Sequence, residues 1–351
     1  MRMVTNWKNI RPSAMLVSAI SLAGLLCTGC LDRTETIRVH PNGAVDIRAQ
    51  FESESQDEFK DGDITPEVGS GWDVAENTIT TDDGKTKYRL NATQSFGPGE
   101  KLPFTFARHG DLNRDLYLQF PTKLVIEQRN DDRYYHFIRT YEPRWYAQVM
   151  GKVDVINERV KKIIADAGGG EEKDLPPTVK RRVIELYVQS ALARMEAFAR
   201  EAFIVSNPNS PPDVWLVAHE AITDFRKTAD YPQLMTMIDQ IQEEKDDRLF
   251  QQLEDDFDSA VIDRIQSALR STGRAGDLSA FLRNYQRNKT EFHITEDLND
   301  DSFTIRIDMP GVIVGSNADE RQGNTLVWKF SGKMMHDRRI ELLATSRVTG
   351  F

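Results

Sequence analysis

Apolar residues recur at every second position near both ends of this chain and at every third or fourth position through its middle. No single regular element satisfies both periods. Ile37 and Val39, then Val45, Ile47, Ala49 and Phe51, alternate about Pro41, Asn42 and Gly43, which is the pattern of a hairpin. Further strands are expected at 78–80, 87–92 and 116–120, and at 124–128 facing 134–139 across Asn130, Asp131 and Asp132. At Pro143 the period changes. Trp145, Val149, Val153, Ile156, Val160 and Ile164 fall on one helical face, and Gly168 to Gly170 end that helix. Thr178 is positioned to cap a long helix over 179–203, and shorter amphipathic helices are expected at 214–228, 233–244, 248–269 and 278–286. From Glu291 the alternation returns, through Phe303, Ile305 and Ile307, then Leu326, Trp328 and Phe330, then Ile340, Leu342 and Ala344.

The closing segment has too few strands and no long apolar run to stand alone, so joining the first sheet buries it best. The expected fold class is therefore α+β, an antiparallel β domain formed by the N- and C-terminal segments and interrupted by an α-helical insertion. In residues this gives a β domain over 30–142 and 289–351 with the insertion over 143–288.

Residues 1–29 read as a bacterial lipoprotein signal peptide. Arg2, Lys8 and Arg11 form a basic start, residues 14–26 an apolar run, and Leu25, Leu26, Cys27, Thr28 and Gly29 lead into Cys30. Cys27 stands where such a motif has Leu. The apolar run is well short of the ~20 residues that span a bilayer as a helix. Cleavage before Cys30 and attachment of lipid, including palmitate, to its sulfur are the expectation. About five residues would separate that lipid from the first strand, at most about 17 Å of extended chain. Leu31, rather than Asp, follows the cysteine, a pattern that in a two-membrane envelope permits transfer to the outer membrane.

Of the two cysteines the processed chain keeps only Cys30, whose sulfur would carry lipid, so no disulfide or thiolate metal site can hold the mature fold. Processing removes three basic and no acidic residues, taking the net charge from −10 to −13. That balance repels phosphate backbones and argues against a nucleic-acid partner.

Near the C-terminus, Met309, Pro310, Gly311, Val312, Ile313, Val314, Gly315, Ser316 and Asn317, followed by Gln322, Gly323, Asn324, Thr325, Leu326, Val327 and Trp328, resemble the closing motif of LppM-like bacterial lipoproteins. The opening is similar too, with a lipid-modified cysteine, an alternating strand, a turn at Gly43 and the pair Gly71 and Trp72. The resemblance covers the two ends and leaves the helical stretch unaccounted for. It implies an envelope lipoprotein with an α+β ectodomain and no assigned enzymatic chemistry. Independently of it, Pro310 should end a strand, Gly311 should turn the backbone, and Trp328 should point inward.

No motif for catalysis, a metal or a cofactor is complete. His219, Glu220 and Thr223 fall one histidine short of a zinc-protease helix. Residues 61–63 and 82–84 read as turns rather than calcium loops, and the acidic cluster from Glu243 to Asp258 as the wet face of a helix. Tyr134, Tyr135, Phe137, Tyr141, Trp145 and Tyr146 crowd the β-to-helix junction with Arg133, Arg139 and Arg144. Core packing accounts for such a cluster, since alternate strand residues face inward. Its alternative use is contact with an envelope protein, a lipid or a glycan through Tyr134, Arg139, Tyr141, Arg144 and Trp145. The expected function is non-catalytic binding or scaffolding at a membrane surface. Carriage of a lipid or other amphiphile between sheet and helices, and hydrolysis at an unrecognised site, are the alternatives.

Overall fold

The structure is a computed structural model that describes residues 31–350 apart from 57–58, 60–65, 67–70, 82–83, 108–113, 145–146, 169–174, 210–211, 226, 228–235, 237–246, 274–277, 300 and 337. Cys30, Trp145, Tyr146, most of the expected helix at 233–244 and both expected acidic turns in part fall outside these residues. The chain divides into two units, Gln148–Lys289 and Cys27–Ala147 with Thr290–Phe351. It is an α+β fold with helices inserted between N- and C-terminal strand segments.

In the β unit, β1 (Asp32–Val39) and β2 (Val45–Ser53) form the hairpin that the alternation requires, with Val39 opposite Val45. Gly43 closes it at φ +88°, so the turn needs glycine for its conformation, and a Cβ there would push aside the end of the Ile126 side chain. The other strands are β3 (Asp73–Thr80), β4 (Thr86–Phe96), β5 (Thr122–Arg129), β6 (Asp132–Tyr141), β7 (Ser302–Asp308), β8 (Val312–Ser316), β9 (Glu320–Gln322), β10 (Thr325–Ser331) and β11 (Ile340–Thr349). They form a seven-stranded sheet in the order β3-β4-β2-β1-β7-β10-β9 and a four-stranded sheet in the order β5-β6-β11-β8. The C-terminal strands thus join both sheets.

One pairing differs from the antiparallel expectation, because β1 and β7 run parallel, with Ile37 opposite Ile307. Parallel neighbours need a long crossover, and everything between residues 40 and 301 supplies it. Inward side chains of both sheets build one core in which Phe51, Phe106, Phe120, Tyr141, Phe303 and Phe330 are in ring contact. Each such buried ring contributes about 1.5–3 kcal/mol relative to exposure. Trp328 points inward as expected, its Nε1–H donating to Asn317 Oδ1 at 3.0 Å. Gly311 turns the chain at φ +73°, where any Cβ would collide with the Arg347 carbonyl.

Three expected features are corrected. Residues 116–120 form no strand; Leu116, Leu118 and Phe120 are buried in alternation, yet the chain bonds locally, with Phe120 N–H donating to the Phe104 carbonyl at 2.7 Å. The last helix runs to Asp297 rather than 286, because Phe281, Tyr285, Phe292 and Thr295 keep a helical spacing that the pair Phe292 and Ile294 disguises as alternation. Thr178 is not a cap: Pro176 holds that position without a side-chain hydrogen bond, and Pro177 opens the helix.

The helical insertion comprises α1 (Ala147–Asp166), α2 (Pro177–Ser206), α3 (Pro212–Phe225), α4 (Asp247–Ser271) and α5 (Leu278–Asp297). Helix α3 packs on α4, with Phe225 and Phe257 rings 5.6 Å apart, and Val160, Val183, Leu186 and Tyr187 join α1 to α2. From Thr290 onward α5 belongs to the β unit and buries Ile294 and Leu298 in its core. Among the described residues no helix is long and apolar enough to cross a membrane.

Candidate functional site

Strand β6 decides where the aromatic and arginine cluster goes, because its period of two sorts the residues onto opposite faces. Tyr135, Phe137, Arg139 and Tyr141 point into the core, whereas Tyr134, His136, Ile138 and Thr140 face out. The five residues read as possible contacts are therefore not brought together. Arg139 and Tyr141 are fully buried, Arg144 nearly so, Tyr134 lies on the outer face, and Trp145 is outside the described residues.

Inside, Arg139 donates from Nη1 to Glu35 Oε2 at 2.7 Å and from Nε to Thr122 Oγ1 at 2.9 Å, and its guanidinium lies 4.8 Å from the Phe120 ring centre. Burial opposes its charge; the Glu35 carboxylate and the Tyr141 hydroxyl together outweigh that and leave Arg139 more basic than an ordinary arginine. Burial pushes the Tyr141 hydroxyl well above the usual tyrosine range. A second buried pair, Arg33 with Asp301, lies on the same core, with Arg33 over the Phe303 ring at 5.0 Å. Arg144 is a brace: Nε donates to Thr295 Oγ1 at 2.9 Å and Nη2 to the Leu116 carbonyl at 2.7 Å. Its own N–H donates to the Met335 carbonyl at 2.7 Å. These cations hold the β unit together rather than meeting solvent.

Outside, the four-stranded sheet presents an open face. Val125 of β5, Ile138 of β6, Leu343 of β11 and Val312 and Val314 of β8 are 36–58% exposed. The ladder pairs Ile138 with Leu343, Val125 with His136 and His136 with Thr345, so these side chains form adjoining rows. A register shift at Thr345 and Ser346 leaves Val314 as an extra residue on the edge strand β8. Aromatic rings add to the face. Tyr134 stacks on His136 with centroids 6.5 Å apart, and Arg129 lies 5.1 Å over Tyr134. An apolar patch with a polar centre on an open sheet is the composition of a contact surface.

The polar centre has a chemical order of its own. His136 Nδ1 shares a 3.1 Å hydrogen bond with Thr345 Oγ1, and its Nε2 lies 3.6 Å from Glu127 Oε2. The Arg129 guanidinium, donating to Glu127 at 2.8 Å, holds that carboxyl below the usual range. Hydroxyl, imidazole and carboxylate follow one another as in a nucleophilic triad. All three side chains are partly exposed to water on this face. Another such group, Ser95, Asp46 and His40, has the carboxylate in the middle: Ser95 Oγ donates to it at 2.6 Å and His40 Nε2 lies 2.6 Å away. Those two bonds, Ser95 foremost, hold Asp46 below the carboxylate range and leave the hydroxyl without a base.

His219 lies 3.0 Å from Glu196, and Thr223 Oγ1 donates to the His219 carbonyl, so that helix carries a neighbour-satisfied histidine. From the acidic cluster, Asp258 accepts from Tyr285 at 3.1 Å and pairs with Lys289. Sequence reasoning missed Glu35, Arg33, Asp301 and the outer apolar rows. The rows had a signal: Leu124, Val125 and Ile126, and likewise Val312, Ile313 and Val314, are apolar on both parities, which an ordinary half-buried strand is not.

Fold and surface together define an α+β protein whose four-stranded sheet exposes apolar side chains on its outer face. No protein family and no curated protein matches the chain. In structure it is similar to the folded domain of LppM from Mycobacterium tuberculosis, at 8% identity and a TM-score of 0.27, with 92% of this chain and 91% of that chain covered.

Proposed function

We propose that this chain is a lipid-anchored envelope protein that binds another envelope protein, without catalysis, through the outer face of its four-stranded sheet. The observation that carries the reading is the run of exposed Val125, Ile138, Leu343, Val312 and Val314 on one face. Scattered single apolar residues need no explanation, whereas five on the outer face of one four-stranded sheet do. A flat face suits the flat surface of another protein; an amphiphile carrier needs an enclosing pocket, and a hydrolase needs water excluded from its nucleophile. The leader ending at Cys30 supports the envelope address, on the outer membrane if there are two membranes, and palmitate as part of the anchor.

The address and the face are tested separately. Labelled palmitate should enter the full-length chain and be lost in Cys30→Ser, and globomycin should cause the precursor to accumulate. Chemical crosslinking in intact cells should trap a protein partner with the unaltered chain and fail with Val125→Lys combined with Leu343→Lys. Persistence of the same crosslink in that variant would rule out this face, and an unlabelled chain would rule out the anchor.

A further inference from the structure

The residue after the expected lipid site is already part of the core. Leu31 is 2% exposed, its N–H donates to Asp301 Oδ1 at 3.1 Å, and its carbonyl accepts from Ser302 N–H at 3.2 Å. Asp301 Oδ2 meanwhile accepts from Arg33 Nε at 3.0 Å and Nη2 at 2.5 Å, with both side chains buried. One carboxylate therefore clamps the first described residue and the first inward residue of β1 to the start of β7. The five-residue spacer expected from the sequence is absent: β1 begins at Asp32. A single peptide step, about 3.8 Å between Cα atoms, joins position 30 to backbone fixed in the core.

The same end of the β unit carries the short turn Gly332–Met335. Gly332 N–H donates to the Asp301 carbonyl at 2.9 Å, and a Cβ on Gly332 would collide with the Leu298 carbonyl. Lys333 is exposed on that turn. Arg338 and Arg339 precede Ile340, which pairs with Tyr141, whose ring lies 6.0 Å from Phe303 and 5.1 Å from Phe330. Asp32, Glu52 and Glu54 at this end are matched by Lys87, Arg89 and Lys85, and Arg339 by Glu142. Lys333 and Arg338 pair with no acidic side chain among the described residues.

We propose that this end of the β unit is the surface seated on the membrane, with Lys333 and Arg338 in the headgroup layer of a leaflet that contains anionic phospholipid. The inference rests on acylation of Cys30. Between the acyl chains and the clamped Leu31 there is no slack. The polar layer of a leaflet is about 5–8 Å deep. Gly332, bonded to the residue that clamps Leu31, sets Lys333 beside that end, and cations in the polar layer meet the negative surface potential.

Once Cys30 is acylated the mature chain has no free thiol, so one introduced cysteine can be labelled alone. Lys333→Cys reports the proposed seat and Asn42→Cys, in the β1–β2 turn, the opposite end. The acylated full chain, in phosphatidylcholine–phosphatidylglycerol vesicles with headgroup spin-labelled lipid, should show several-fold stronger fluorophore quenching at 333 than at 42. A flexible Gly/Ser linker placed between Cys30 and Leu31 should abolish that difference without changing Tm. Equal quenching at both positions on protein shown by intact mass to be acylated would overturn the seating alone. A mature chain whose Cys30 lacks the acyl mass would overturn the anchor and the seating with it.

Discussion

Glu35 and Arg139 face each other across the core with both charges out of water. Desolvation makes such a pair a poor source of stability and a large liability when broken. Replacing Arg139 with Met should cost about 3–5 kcal/mol, because Glu35 is left buried and unpaired. Glu35→Leu combined with Arg139→Met should recover most of that loss, read by chemical denaturation of the three proteins. Tyr141 adds a dependence on pH. Its folded-state pKa is raised by burial, so its contribution is fully present below the unfolded value of about 10 and is lost as pH rises beyond it. The protein's Tm should hold from neutral pH to about 9 and then fall, more steeply than in Tyr141→Phe. At this scale the sequence was only half legible. Both parities of β6 carry aromatic residues, Tyr134 and His136 on one and Tyr135 and Phe137 on the other, so alternation separated two sets without saying which was inside. Alternation favours core packing for Arg139 without naming its partner, because Glu35 lies 104 residues away, beyond the reach of any local pattern.

Elements were more legible where one face alone is apolar. β1, β2, β7, β10 and β11 follow from their alternation, and α2 from its apolar stripe and its flanking prolines. Strands β5 and β8 carry apolar residues on both faces, and that excess is what the outer surface exposes. Lysines at Val125 and Leu343 should therefore leave stability within about 0.5 kcal/mol of the parent, since neither side chain is buried. Circular dichroism melts should superimpose while the crosslinked complex disappears. Arg144 shows the opposite case. Arg144→Ala removes bonds to Leu116, Thr295 and neighbouring carbonyls and should raise amide hydrogen exchange in residues 114–120 and 290–298, at a cost of about 1–3 kcal/mol. No periodicity could have announced that brace, because it depends on one long side chain reaching two segments far apart in the chain.

For the whole molecule, the change of period at Pro143 and its return announced a β fold with a helical insertion, and the structure has that organisation. The parallel pairing of β1 with β7 was not legible, because alternation fixes which face is buried but not the direction of the neighbouring strand. Nor was the burial of Leu31, which is held by Asp301, 270 residues distant. Binding through the outer face of the four-stranded sheet is what the proposed function requires. A photoreactive amino acid placed at Leu343 in living cells, with Asn42 as the control site, measures that contact directly. A discrete adduct between this chain and one envelope protein is expected from position 343 and none from position 42. Illumination that yields only unmodified chain from 343, or the same adduct from both positions, would contradict it.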